Sequence, residues 1–160
     1  MATPLSNLSD FDANDVPSGE GLKIALVVAE WNAEITDNLR LGAHTTLVEC
    51  GVREADIITT LVPGSFELVF GAKKALEQAV DAVIVIGSVI QGQTKHFDFV
   101  CQGVTQGIVS LNLSSDRPVV FCVLTDNKLQ QSIVRSGGVH GYKGVEAAVT
   151  AIKMAQLAKQ

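Results

Sequence analysis

The sequence predicts an α/β protein, a three-layer αβα sandwich around a central four-stranded parallel sheet. Short runs rich in β-branched residues alternate along the chain with longer segments of helical period, which is typical of successive βαβ units. The short runs are apolar on both faces, as expected of parallel strands that helices cover from both sides. Right-handed crossovers between the strands then place helices on each face of the sheet.

The first element is an N-terminal arm, residues 1–21, which is expected to be loose because it is rich in Asp, Asn, Ser, Pro and Gly. The sequence leaves open whether this arm adds a strand to the sheet of a neighbouring subunit. A single domain follows over residues 22–160. Its four predicted strands are KIALVV (23–28), DIITTLV (56–62), AVIVIGS (82–88) and PVVFCVL (118–124).

Three helices are predicted between and after these strands. The first carries an apolar stripe that ends before Gly51, a residue type suited to a helix C-terminus, and the stripe consists of Ile35, Leu39, Ala43 and Leu47. The second carries the stripe Phe97, Cys101, Val104, Ile108 and Leu111. The third helix covers GVEAAVTAIKMAQLA, residues 144–158.

Composition and charge narrow the class of protein. With 160 residues, 47% of them hydrophobic, one domain can bury about two thirds of its unfolded surface. The net charge of −5 and the lack of a Lys/Arg cluster argue against nucleic-acid binding. Apolar runs such as residues 24–29 are too short to span a bilayer, so no membrane partner is expected. The polar N-terminus does not resemble a secretory signal, which predicts a cytoplasmic location.

The cysteines and histidines do not form a recognisable metal motif. Cys50, Cys101 and Cys122 are odd in number and lie in apolar segments, so we expect free buried thiols in a reducing compartment. There is no CxxC pair, and the three histidines, His44, His96 and His140, are far apart in sequence. No metal site is predicted.

Four polar clusters follow the predicted strands, and they are EWN (30–32), PGSFE (63–67), QGQTKHF (91–97) and TDNK (125–128). The carboxyl ends of parallel strands meet at one edge of a sheet, where ligands of such folds bind. The sequence therefore predicts that these clusters converge on one site.

The cluster before the second helix can bind an anion. GQTKHF lies at a strand-to-helix turn, where unpaired N–H groups and the helix dipole favour a phosphate. The alternative is an ordinary helix start with Thr94 as its cap. His96 lies one residue off the apolar stripe and is expected to face the cleft as a proton shuttle, although a structural histidine is the alternative. Neither a Walker loop nor a GxGxxG motif is present.

The other clusters also leave two interpretations open. Ser65 and Glu67, on either side of Phe66, either begin a helix or hydrogen-bond a polyol or heterocycle. Trp31 either packs in a core or interface, or stacks on a planar ring. Arg135 belongs either to a solvated loop that also contains Lys143, or to a phosphate site.

Taken together, these motifs resemble the 6,7-dimethyl-8-ribityllumazine synthase family over residues 23–158. The motifs that carry the resemblance occur in the family's order and spacing, and they are WN, VPGSFEL, GSVIQGQTKHFDFVCQGVTQGI, PVVFCVLT, R-S-GG and KGVEAA. The resemblance implies a flavodoxin-like sandwich that assembles as pentamers, in some members as a sixty-subunit icosahedral shell, with active sites between subunits. It leaves open whether such a shell encloses or associates with riboflavin synthase.

The resemblance also implies a reaction. Members condense 5-amino-6-(D-ribitylamino)uracil with 3,4-dihydroxy-2-butanone 4-phosphate in riboflavin biosynthesis, releasing phosphate and water, without a metal or organic cofactor. By similarity, His96 is the general acid/base, Gln93 (through its main chain) and Thr94 hold the phosphate, and Arg135 of the neighbouring subunit clamps it. The pyrimidine and ribityl contacts are implied to be Trp31, Asn32, Ser65, Phe66, Glu67, Val89, Ile90 and, from the neighbour, Phe121. Lys143 matches a lysine near the same interface.

Several residues depart from the family pattern. Gln91 replaces a common Arg or Lys and lowers the positive potential near the phosphate turn. Tyr142 replaces a usual Asn. Val69 stands where Pro is common, and Cys122 stands where Gly is usual. Trp31 replaces a common Phe and predicts that riboflavin also binds. The short loop 137–144 favours the shell over a single pentamer. The alternative to an enzyme is a non-catalytic flavin- or phosphate-binding shell protein of the same fold.

Overall fold

The computed structural model describes residues 15–138 and 141–160. Most of the predicted arm and His140 lie outside these residues. The strands are β1 (Ile24–Ala29), β2 (Ile57–Val62), β3 (Ala82–Ile90), β4 (Val119–Asp126), β5 (Ser136–Gly138) and β6 (Gly141–Tyr142). The helices are α1 (Ala33–Glu49), α2 (Leu68–Leu76), α3 (His96–Ser114), α4 (Leu129–Arg135) and α5 (Lys143–Ala158), and a short 3-10 helix covers Glu54–Asp56.

The central sheet confirms the predicted architecture. Its four strands are parallel in the order β2-β1-β3-β4. In the centre of the sheet, Ile24 of β1 lies between Ile57 of β2 and Ala82 of β3. Strands β2 and β4 form the edges, and β5 pairs with β6 in a separate antiparallel hairpin.

Two hydrophobic cores lie on the two faces of this sheet. Ile24, Leu26 and Val28 of β1 point to the face covered by α1 and α5, whereas the alternate residues Ala25 and Val27 point to the face covered by α2 and α3. Successive side chains of a strand face opposite sides, so a strand covered on both sides is apolar throughout. The sequence pattern therefore reported the layering correctly.

Helices α1 and α5 pack closely over the first core. The predicted stripe Ile35, Leu39, Ala43 and Leu47 is buried. The helix ends at Glu49 with Cys50 as its C-cap, and Gly51 follows at a φ of 97°. This positive φ is the left-handed conformation that favours glycine after a helix end. A Cβ on Gly144 of α5 would overlap the carbonyl oxygen of Leu39, so a glycine is needed where the two helices meet.

Helix α3 is covered less completely than its apolar stripe suggests. Val104 and Ile108 are buried, but the other three residues of the stripe, Phe97, Cys101 and Leu111, are only half-buried. Elsewhere on the same helix, Phe99 and Leu113 are largely exposed. Within one chain, α3 therefore presents apolar surface that the fold does not cover.

Helix α2 begins directly after the polar cluster 63–67, as one of the two interpretations of Ser65 and Glu67 predicted. The sequence pattern did not predict three shorter elements. Helix α4 is only seven residues long. Strands β5 and β6 have three and two residues. Such segments are too short to show a distinct period, so tertiary contacts decide their conformation.

The prediction of three buried thiols was wrong for one of them. Cys50 and Cys122 are buried, but Cys101 is only partly buried because its side of α3 is incompletely covered. Burial raises the pKa of Cys122 to about 12, although the nearby Lys143 opposes this shift. Burial also raises the pKa of Cys50 and Cys101, with smaller contributions from Glu49 and Asp98 respectively. All three thiols are therefore protonated near neutral pH.

Two other kinds of feature, a membrane-spanning helix and a cluster of metal ligands, are absent from the described residues. No helix there is long and apolar enough to cross a membrane. In residues 15–138 and 141–160, no three His, Cys, Asp or Glu side chains cluster in a way that could hold a metal ion.

Candidate active site

A cleft of about 550 Å³ opens beside the carboxyl ends of β1 and β3. Residues from three of the four predicted polar clusters meet here, as the parallel topology requires. The residues that were predicted to bind ligand and that line the cleft are Trp31, Asn32, Phe66, Glu67, Val89, Ile90 and His96. Gly64, which belongs to the predicted cluster 63–67, lines it as well. The sequence analysis missed three further lining residues, Ser88, Phe99 and Val100.

The turn after β1 forms one wall of the cleft. Trp31 is 72% exposed, and its main-chain N–H donates to the carbonyl of Pro63 at 3.2 Å. Asn32 has a φ of 62°, a left-handed conformation that Asn tolerates better than most residues. The Asn32 Nδ2 donates to the carbonyl of Ser88 at 2.9 Å. These bonds fix the turn to both neighbouring strands and leave the indole at the mouth of the cleft.

The segment before α2 forms a second wall. Phe66 is 57% exposed and packs its ring edge over Gly103 of α3, where a Cβ would come within 2.6 Å of the ring. Glu67 is exposed at the N-cap position of α2. Ser65 is buried and packs against Gly87 of β3, so its side chain supports the wall and is not one of the residues that line the cleft.

The end of β3 forms the floor. Its ladder with β1 ends at the pair Val28 and Ile86, whereas its ladder with β4 continues to Ile90. The cleft side of β3 beyond Ile86 consequently has no strand beside it. The Ser88 hydroxyl is buried at this floor without a hydrogen-bond partner among the described residues. A buried hydroxyl that lacks a partner is costly, so the floor is suited to a ligand with polar edges.

His96 is the first residue of α3, and its exposed side chain lines the cleft. Lys95 occupies the cap position, with no side-chain capping bond. Thr94 is therefore not the helix cap, but its Oγ1 accepts the main-chain N–H of His96 at 3.4 Å. The whole turn 91–95 is exposed, and Gln93 and Thr94 lie outside the lining of the cleft. The turn adjoins the cleft because His96 follows it directly.

Three of the predicted site residues lie away from the cleft within one chain. Phe121 is 40% exposed on the edge strand β4, and it lines a second pocket of about 390 Å³ that also includes Lys143. Arg135 ends α4 and forms an ion pair with Asp126, with Nη1 3.1 Å from Oδ1. The structure does not bring these three residues to His96. For Phe121 and Arg135, the resemblance already assigned the contact to a neighbouring subunit.

The residues that the sequence analysis missed differ in how well they could have been found. Phe99 and Val100 lie three and four positions after His96, a spacing that puts them on the same side of α3. That spacing was available in the sequence. Ser88 is followed by Val89 in β3, and nothing in the apolar run indicates that its hydroxyl reaches the cleft floor.

The sequence of this chain is similar to those of known proteins. Residues 21–159 match the sequence model of the family described as 6,7-dimethyl-8-ribityllumazine synthase. A protein of that name from Flavobacterium johnsoniae is 60% identical over 161 residues, covering 100% of this chain and 85% of the relative. The corresponding protein from Christiangramia forsetii is 55% identical and covers 99% and 96% of the two chains. One from Parabacteroides distasonis is 55% identical over 155 residues and covers 96% and 97%.

These matches extend over the sheet, the cleft and the helices that frame it. The family model covers nearly nine tenths of the 160 residues, from before β1 to the end of α5. The relatives match at high identity over almost the entire chain. This chain is therefore a member of the 6,7-dimethyl-8-ribityllumazine synthase family.

Proposed function

We propose that the chain is a transferase of riboflavin biosynthesis that condenses 5-amino-6-(D-ribitylamino)uracil with 3,4-dihydroxy-2-butanone 4-phosphate. The observation that carries the proposal is the cleft itself. It places one imidazole, His96, beside an aromatic wall, a polar floor and an exposed helix start. The products are 6,7-dimethyl-8-ribityllumazine, one phosphate and two molecules of water.

The reaction requires proton transfers at several steps, and His96 is positioned to serve them. The pyrimidine amine attacks the ketone and one water leaves to give an imine. A proton is then lost from carbon as phosphate departs, and the ribitylamino nitrogen closes the ring with loss of a second water. The imidazole of His96 has two ring nitrogens that can accept and return a proton at each of these steps.

The proposed pyrimidine site is the wall and floor of the cleft. The Trp31 indole is the flat surface on which the ring stacks. Main-chain groups of Val89 and Ile90 are suited to the ring amides, because no strand covers this side of β3 beyond Ile86. Asn32 and Glu67 supply polar groups for the ribityl chain and ring edge, Phe66 shields them, and Ser65 supports this wall from behind.

The proposed phosphate site is the turn before α3. Its exposed backbone at Gln93, the hydroxyl of Thr94 and the nearby helix N-terminus favour an anion. Arg135 of the neighbouring subunit would complete the site with a planar, bidentate cation. The phosphate would then lie next to His96, close to the carbon from which it is eliminated.

The proposal includes a homo-oligomer, because the site needs residues that one chain keeps apart. Several large apolar residues outside the cleft are exposed, among them Leu41, Leu61, Val109, Leu113 and Leu157. Apolar surface of this kind marks interaction sites. A ring of five subunits, alone or as a sixty-subunit shell, would cover it, with Phe121 and Lys143 at the interface. The same proposal has three further parts. The protein is cytoplasmic, its N-terminal arm adds a strand to the sheet of a neighbouring subunit, and the assembly associates with riboflavin synthase.

The direct test is to mix the purified protein with both substrates and follow lumazine absorbance against the uncatalysed rate. A protein-dependent rise that needs both substrates supports the proposal. Replacing His96 by Ala should lower kcat by ~10² to 10⁴-fold, the usual contribution of general acid/base catalysis, while substrate binding persists.

His44→Ala is the matched control, since His44 lies on α1 and is not among the residues that line the cleft. This variant should retain the full rate. Equal rates for His96→Ala and the wild type would remove His96 from the mechanism, and a flat absorbance trace from folded wild type would refute the enzyme.

A further inference from the structure

Asp126, the last residue of β4, carries a carboxylate that two side chains of α4 contact. Ser132 donates its hydroxyl to Asp126 Oδ2 at 2.8 Å, and Arg135 donates Nη1 to Asp126 Oδ1 at 3.1 Å. Asp126 is only 8% exposed, and Ser132 is fully buried. Both carboxylate oxygens are therefore engaged, one by a neutral donor and one by a cation.

The main chain of Asp126 is anchored to the centre of the fold. Asp126 pairs with Ile90 at the end of the ladder between β3 and β4, and its carbonyl accepts the N–H of Gln91 at 2.9 Å. The sheet therefore fixes the position of the carboxylate. Whatever binds to this carboxylate is held at a defined place relative to the sheet.

Arg135 is held by one corner of its guanidinium. Its Nη1 also donates to the carbonyl of Gln131 at 3.2 Å, yet the side chain is 43% exposed. A guanidinium carries five N–H donors in one plane, so the bonds at Nη1 leave its other edge for a second, bidentate contact. A side chain that is already ordered loses less conformational entropy when it binds an anion.

We infer that Asp126 is a positioning residue for the phosphate-bearing substrate. It orients Arg135 through Nη1 so that the opposite edge of the guanidinium meets the phosphate, and Ser132 fixes the rotation of the carboxylate. The inference rests on the proposed function, in which Arg135 clamps that phosphate. The opposing expectation is that Asp126 only withdraws positive charge from the site, in which case its removal would tighten phosphate binding.

The test is Asp126→Asn in the assembled enzyme, with KM for each substrate, kcat, and the inhibition constant of inorganic phosphate as the readouts. The variant keeps the size of the side chain but removes its charge. The KM of the butanone phosphate and the inhibition constant should rise about five- to thirtyfold, which corresponds to the ordering of one long side chain. The KM of the pyrimidine and kcat should stay within about twofold, because Asp126 does not contact the reacting atoms.

A double-mutant cycle shows whether Asp126 acts through Arg135. Arg135→Ala alone should weaken the binding of inorganic phosphate. Adding Asp126→Asn to that variant should weaken phosphate binding no further. The matched control is Asp56→Asn, because Asp56 is 5% exposed and accepts Arg53 Nε at 2.6 Å, a similar ion pair before β2. This control should leave the inhibition constant of phosphate unchanged.

The outcomes separate the inference from the function on which it rests. Unchanged or tighter phosphate binding by Asp126→Asn, with Arg135→Ala still harmful, overturns the positioning role alone. No effect of Arg135→Ala on phosphate binding removes the phosphate clamp itself, and the inference with it. If Asp126→Asn does not fold, Ser132→Ala is the second variant. It should raise the same two constants by about two- to fivefold, and unchanged constants would equally refute the positioning role.

Discussion

Trp31 is the most exposed of the three aromatic side chains in the cleft, at 72%, compared with 57% for Phe66 and 69% for Phe99. An indole in water is unfavourable unless a ligand or partner covers it. The backbone around Trp31 is nevertheless fixed, because the main-chain N–H bonds to Pro63 and the next residue, Asn32, is tied to Ser88. The indole is thus presented to the cleft by a turn that other parts of the fold hold in place.

Replacing Trp31 by Ala should lower the affinity for the pyrimidine substrate about tenfold, since stacking of a base on an aromatic side chain contributes about 1 to 3 kcal/mol. Trp31→Phe should retain most of the affinity. Titration calorimetry with the pyrimidine alone measures the difference.

The same indole is predicted to bind riboflavin. Riboflavin fluorescence should be quenched by the wild type and not by Trp31→Ala, and the absence of quenching with the wild type would refute riboflavin binding.

At the scale of elements, the crossing of α1 and α5 depends on one glycine, Gly144, because any side chain there would overlap α1. Gly144 of α5 lies against the carbonyl oxygen of Leu39 and the N–H of Ala43 in α1. The hairpin of β5 and β6 precedes α5 directly, and its Tyr142 packs on Gly42 of α1. The approach of these two helices therefore also sets the position of the hairpin that follows Arg135.

Gly144→Ala should destabilise the protein by about 3 kcal/mol, because overpacking against the backbone of another helix cannot be relieved by a rotamer change. Gly92→Ala is the matched control, since a Cβ at Gly92 meets nothing within 4 Å. The control should change stability by less than about 1 kcal/mol. Denaturant unfolding of both variants gives the comparison, and equal midpoints would show that the helices separate at little cost.

At the scale of the whole molecule, the proposed site is divided between two chains. His96 and Trp31 line the cleft of one subunit, while Arg135 is proposed to reach it from the next. A closed ring in which each subunit contacts its neighbour head to tail provides such a division. We propose that this ring also covers the apolar surface that α3 leaves exposed.

Mixed assemblies test this division. The experiment unfolds His96→Ala subunits and Arg135→Ala subunits and reassembles them together in equal amounts. The mixed assemblies should regain about a quarter of the wild-type rate, because a quarter of the interfaces then carry both native residues. Mixing His96→Ala with Trp31→Ala is the control: both residues belong to the same chain and no subunit carries both, so this mixture should show only the mean rate of the two separate variants. No recovery in the first mixture would place Arg135 outside the neighbour's site.

The sequence by itself determined the layers of the fold and most of the cleft. Strands that are apolar on both faces require helices on both sides, and polar residues after parallel strands must meet at one edge. These two rules predict that His96, Trp31 and Glu67 lie together, and all three line the cleft. The motifs in their order also identified the family.

Only the tertiary structure decided which residues support the site. Ser65 packs behind the wall, Ser88 reaches the floor and Asp126 holds Arg135. The partial exposure of Cys101 likewise depends on how far α3 is covered. Sequence periodicity reports which face of an element is buried, but it does not report the distance between side chains on different elements. That distance is set by packing, and the roles of these residues depend on it.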